Sequence, residues 1–148
     1  MHDDLSKEEL IEEMEKRHGW IKTWLAFEVM ATNRELTEKA LKEHIEKLSK
    51  IKEVFVFEKN FKSIEKVENP PKNVPEAYSQ IAEIKLLAKN LFTLISIVVA
   101  FGPSAIEILE PKELKVKIDE VQNIANTLAG LVHQFAQAGI GGMVIQPK

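Results

Sequence analysis

Along this chain the spacing of hydrophobic residues changes several times, and each change marks an element. Ser6 with Glu9 makes a capping box that Leu5 and Leu10 can staple, and Leu10, Ile11 and Met14 follow as a narrow apolar stripe. That pattern predicts a short, mostly polar helix ending at His18-Gly19. From Trp20 to Met30 the period drops to two. Ile21, Leu25, Phe27 and Val29 share one face with Thr23, while Trp20, Lys22, Trp24, Ala26 and Glu28 share the other, as in a strand. A second capping box, Thr32 with Glu35, opens a helix whose buried stripe is Leu36, Ala40, Leu41, Ile45 and Leu48. Its outer face carries Glu38–Lys42, Glu43–Lys47 and Glu46–Lys50 in the favoured order.

"VFVF" at Val54–Phe57 is β-branched and aromatic, and it predicts a strand that runs on weakly through Phe61 towards Val67. "NPPKNVP" at Asn69–Pro75 is a turn, because prolines cannot sit inside a sheet. A further strand is expected from Ala77 to Leu87. Asn90 can cap a helix over Leu91–Phe101 that Gly102-Pro103 ends. The run "ISIVV" would also suit a buried strand; the cap, the length and the Gly-Pro stop decide for a helix. "GPSAIEILEP" then supplies a strand at Ala105–Leu109. After Pro111, "ELKVKI" alternates as a strand extension or an extended arm. Asp119 with Gln122 makes a third capping box for a long helix to about Ala138, broken by Gly139, Gly141 and Gly142, and "MVIQ" closes as a small strand.

Strand, helix, strand, turn, strand, helix, strand is the ferredoxin-like βαββαβ order, an α+β antiparallel sheet with two helices on one face. Right-handed crossovers put the first and third strands in the middle and the fourth at the edge beside the first. The expected organisation is one domain over 1–148. It comprises an N-terminal helix (4–18), the ferredoxin-like core (19–111), and a long C-terminal helix with a glycine-containing tail (112–148).

Composition narrows the chemistry. The absence of cysteine excludes disulfides, thiolate nucleophiles and thiolate metal sites. The acidic start at Asp3-Asp4 is unlike a signal peptide, and the apolar run Leu91–Phe101 is too short to span a bilayer, so a soluble cytoplasmic protein without a membrane partner is expected. Eighteen of the twenty bases are lysine and twenty of the twenty-three acids are glutamate, the bias of hyperthermophile proteins. Arg17 and Arg34 are the only guanidiniums and the net charge is −3, which argues against nucleic acid as the main partner.

Two surfaces draw attention. From Val121 to Gln146 there is no Asp, Glu, Lys or Arg. Val121, Ile124, Ala125, Leu128, Val132 and Phe135 make an apolar helix face, and Asn123, Asn126, Gly130, His133, Gln134 and Gln137 make a neutral polar one. Depletion of charge is the mark of interface cores, which favours a homo-oligomer contact on the neutral face over a merely solvated one. The same amides with His133 would also suit a small-molecule pocket. The second surface is the sheet face away from the helices, with Trp20, Lys22 and Trp24. Glu107 is expected to point there and to pair with Lys22 across strands. The sharper reading of that face is a stacking platform for RNA bases, but the third strand offers only Tyr78, and the two tryptophans are expected to lie under an added element: the Asp119-capped helix, the N-terminal helix or a second subunit.

Catalytic signals are thin, and no catalytic residue, metal ligand set or cofactor is assigned. His2, His18, His44 and His133 show no metal-binding spacing, and His44 lies at the edge of an apolar stripe. Glu107 and Glu110 fall on opposite faces of a strand. The glycines near the end follow a helix and make no phosphate cradle.

At "GWIKT" (Gly19–Thr23), "PSAIEILEP" (Pro103–Pro111) and "HQF" (His133–Phe135) the chain resembles a family of uncharacterised archaeal proteins of similar length, a resemblance over most of the chain that carries no assigned activity. In architecture it is similar to small ligand-binding regulatory modules of the ACT type. The leading expectation is a non-catalytic, oligomer-forming domain whose uncharged C-terminal helix is the contact surface, with room for a small ligand. An enzyme site near His133 is the alternative, and RNA binding on the Trp20/Trp24 face the third reading.

Overall fold

The computed structural model describes residues 6–139. Three helices open on a side-chain cap. In α1 (Lys7–His18) Ser6 Oγ accepts from the Glu9 N–H at 3.2 Å, in α2 (Arg34–Ser49) Asn33 Oδ1 accepts from Leu36 at 2.8 Å, and in α3 (Leu91–Phe101) Asn90 Oδ1 accepts from Thr93 at 2.8 Å. Each cap satisfies one free N–H of a first turn and contributes about 1 kcal/mol. Gly19 and Gly102 take left-handed backbone and end α1 and α3 as the sequence required.

The α2 cap is Asn33 rather than Thr32, and in the first turn the buried stripe takes in Thr37 in place of Leu36. Thr37, Leu41, Ile45 and Leu48 are buried, Ala40 is half-buried, and Leu36 is exposed. Threonine tolerates that position because its hydroxyl donates to the Asn33 carbonyl at 2.8 Å. On the outer face Lys42 meets Glu38 at 3.7 Å.

The strands are β1 (Ile21–Ala31), β2 (Val54–Phe61), β3 (Glu65–Lys66), β4 (Tyr78–Ala88) and β5 (Ala105–Glu110): the expected four in the expected order, with the two-residue β3 added between β2 and β4 in the chain. They form one antiparallel sheet of order β2-β4-β1-β5, with the short β3 also beside β4. The α+β class and the ferredoxin-like arrangement hold: β1 and β4 are central, and β5 is the edge next to β1. The β1–β4 register is unbroken from Ile21 opposite Ala88 to Ala31 opposite Tyr78.

That register puts Leu25 opposite Ile84 and Phe27 opposite Ala82, so the odd residues of β1 and the even ones of β4 share one face. Leu41, Ile45 and Leu48 of α2 and Leu94 and Ile97 of α3 close over it in a single buried cluster. Each such side chain removed from water contributes about 1.5–3 kcal/mol. Ile106 and Ile108 lie on the same face, opposite Leu25 and Thr23, yet they stay 43% and 53% exposed. The α2–α3 layer therefore stops short of β5.

The chain divides after Glu113 into two units. The first holds α1 to α3 and the sheet. The second holds α4 (Ile118–Ala138), which ends at a left-handed Gly139. "ELKVKI" forms no strand. Lys117 is the N-cap without a side-chain hydrogen bond, and Asp119 sits inside the first turn with Glu120 rather than at the cap. The first turn's free N–H groups and positive dipole end hold carboxylates there as readily as at the cap itself. The expected "MVIQ" strand lies outside the described residues.

Candidate interaction surfaces

On the face of the sheet away from α2 and α3, β1 presents Lys22, Trp24, Ala26 and Glu28, and β4 presents Leu87, Lys85 and Glu83. Part of this face is roofed by α1. Lys22 Nζ lies 3.5 Å from Glu15 Oε1 of α1, an ion pair whose geometry falls short of a hydrogen bond, and 5.9 Å from the centre of the Phe57 ring. Leu87, opposite Lys22, is fully buried there, and Leu10, Ile11 and Met14 of α1 are half-buried. Trp20 sits in the turn into β1, its backbone N–H donating to the Met14 carbonyl at 3.1 Å, and both tryptophans are half-buried.

The expected Lys22–Glu107 pair is not formed. The β1–β5 register sets Glu107 opposite Trp24, two residues along from Lys22, and a bulge between Lys22 and Thr23 brings Lys22 opposite Glu110. The other lysines around this face are also answered by carboxylates: Lys85 by Glu58 at 3.4 Å and Lys62 by Glu83 at 3.3 Å. Lysines already paired with glutamates offer little to a phosphate backbone. Phe55 and Phe57, with ring centres 6.4 Å apart, are the aromatics that sequence reasoning missed here. Phe55 stands opposite Leu87 in the β2–β4 register, and Phe57 is the ring that Lys22 meets.

His44 is a structural residue. Its Nε2 donates to the Phe101 carbonyl at 2.8 Å, and its ring stands edge-on to Phe27 and Phe101. Among the described residues, no group of three or more His, Asp or Glu is placed to hold a metal ion, and no helix is long and apolar enough to cross a membrane. A cavity of about 390 Å³ opens against α3, lined by Ile51, Glu53, Lys89, Phe92, Ile97 and Ala100 among others, and no site residue expected from the sequence lines it.

In α4 no residue is buried. The amide face is out in solvent: Asn123, Asn126, Gly130, His133, Gln134 and Gln137 are all exposed. So are the large residues opposite, with Val121, Leu128, Val132, Phe135 and Ile118 between 44% and 82% exposed. A 21-residue helix that leaves both its polar face and its apolar stripe uncovered is an uncommon arrangement.

The model of the MJ0538 family matches residues 22–148, from the second residue of β1 through α4 to the last residue. The chain belongs to that family. No curated protein and no solved structure matches it. The MJ0538 match takes in both halves of the ferredoxin-like sheet and the whole of α4, and it begins after α1 and its Glu15.

Proposed function

We propose that this member of the MJ0538 family is a non-catalytic domain that acts by associating with itself, with α4 as its contact surface. The observation that carries this is the state of α4: Ile118, Val121, Leu128, Val132 and Phe135, which would supply a core, stay exposed. Covering them removes apolar surface from water, worth about 25 cal/mol for each Å². The second support is electrostatic. With no charged side chain from Val121 to Gln146, two copies can bring this stretch together without burying an unpaired charge. The amides of the opposite face then stay hydrated and keep the assembly soluble.

The test is the mass in solution. Light scattering on the full chain is expected to return a multiple of 16.8 kDa. Leu128→Glu and Val132→Glu, each placing a carboxylate in the stripe, are expected to return a single chain with unchanged helix content. A monomeric wild type at micromolar concentration overturns the reading.

A further inference from the structure

The exposed apolar residues of α4 are spaced by alternating steps of three and four: Ile118, Val121, Ala125, Leu128, Val132, Phe135. That spacing is the a/d seam of a heptad repeat. Ile124 and Leu131, which would widen the stripe on one side, are half-buried, so what remains free is the narrow seam of a two-helix contact. Flanking the seam are Gln122, Ala129 and Ala136 on one side and Ile124, Leu131 and Ala138 on the other. None is charged, so the seam lacks the charged flanks by which heptad helices select a different partner.

The seam also has a centre. Counting outward from the point between Asn126 and Thr127, Ala125 corresponds to Leu128, Val121 to Val132, and Ile118 to Phe135. Resting on the self-association reading, we infer that α4 pairs antiparallel with α4 of a second copy, about a two-fold axis passing between Asn126 and Thr127. Each layer then joins a residue to its counterpart: small Ala125 to Leu128, Val121 to Val132, Ile118 to the large Phe135. A parallel pair would set Ala125 against Ala125, leaving a gap in the middle, and Phe135 against Phe135, crowding one end. Charge points the same way. Asp119 and Glu120 occupy the first turn. Parallel helices would bring both acid pairs to one end and lay their dipoles side by side, whereas antiparallel helices separate the acids and oppose the dipoles.

The chain has no cysteine, so introduced ones report cleanly. Ile118→Cys and Phe135→Cys variants are mixed and treated with a short bismaleimide, and the products are mapped by mass spectrometry. The two positions lie about 25 Å apart on a helix rising about 1.5 Å per residue, so an antiparallel pair cannot join like positions. The expected result is the mixed 118–135 product alone. Homotypic 118–118 and 135–135 products would overturn the antiparallel register and leave self-association standing. A wild type that light scattering shows to be monomeric would overturn both. Should the end substitutions themselves weaken the dimer, a spin label at Gln137→Cys, on the outer face, decides. Its distance to the partner's label is expected beyond about 30 Å, and a distance within about 20 Å, as adjacent parallel helices would give, overturns the inference.

Discussion

His44 Nε2 donates to the Phe101 carbonyl at 2.8 Å, so a side chain from the middle of α2 closes the last turn of α3. The carbonyl is one of the acceptors that a helix leaves free at its C-terminal end. The ring also fills the space between Phe27 and Phe101, at centroid distances of 5.4 and 5.2 Å. The histidine thus joins both helices to the central strand. His44→Ala is expected to destabilise the fold by about 2–3 kcal/mol, combining a half-buried acceptor left alone with two lost edge contacts. His44→Phe should recover the ring contacts and lose only about 1–2 kcal/mol. Urea unfolding followed by tryptophan fluorescence separates the two, and equal losses would show that the hydrogen bond alone matters.

Thr23 has the opposite character. Its side chain is fully buried on β1 and its hydroxyl has no protein partner among the described residues. Replacing an unsatisfied buried hydroxyl with a methyl group removes a desolvation cost. Thr23→Val is expected to raise stability by about 1 kcal/mol, read as a shift of the urea midpoint at constant slope. A loss of similar size would mean that the hydroxyl is satisfied.

The two faces of α4 make contrasting predictions. Asn126→Arg and Gln134→Glu, both on the outer amide face, are expected to leave the light-scattering mass unchanged. A fall in mass with these variants would move the contact from the apolar seam to the amides. Gly130 has open space where a Cβ would stand. Gly130→Ala should therefore strengthen the helix by about 0.5–1 kcal/mol, seen as slower hydrogen exchange across α4.

Lys22 ties α1 to the sheet through Glu15 at 3.5 Å. Its partner Glu15 has a side chain only 15% exposed. Lys22→Ala would leave that carboxylate without its cation, and hydrogen exchange in Lys7–His18 is expected to quicken by about tenfold, the equivalent of about 1.4 kcal/mol. Glu15→Gln should have a smaller effect, since no charge is then stranded. Unchanged exchange in Lys22→Ala would show that Leu10, Ile11 and Met14 hold the helix by themselves.

The candidate surfaces were only partly legible in the sequence. The missing charge after Glu120 was plain, because it is a property of composition. Which face of α4 is free was not: apolar spacing marks a stripe as ready for burial and is silent on whether anything buries it. Nor did strand spacing reveal that Lys22 answers Glu15 and Phe57, since alternation assigns a face and leaves the register that sets Glu107 opposite Trp24 open. The α2 cap shows the same limit on a smaller scale. Thr32 and Asn33 are both good caps, and local pattern did not tell that Asn33 takes the position.

By itself the sequence determined the kind and order of the four helices and of β1, β2, β4 and β5, the ends of α1 and α3, and the sheet order. Those follow from short-range physics: alternation, capping amides, glycines in left-handed backbone, and the handedness of crossovers. Tertiary structure alone decided the β1–β5 register, the roof that α1 makes over Lys22 and Leu87, the work of His44, and the exposure of the α4 seam. Each of these depends on which surfaces meet, and surfaces far apart in the chain meet for reasons of shape and burial that no local pattern carries.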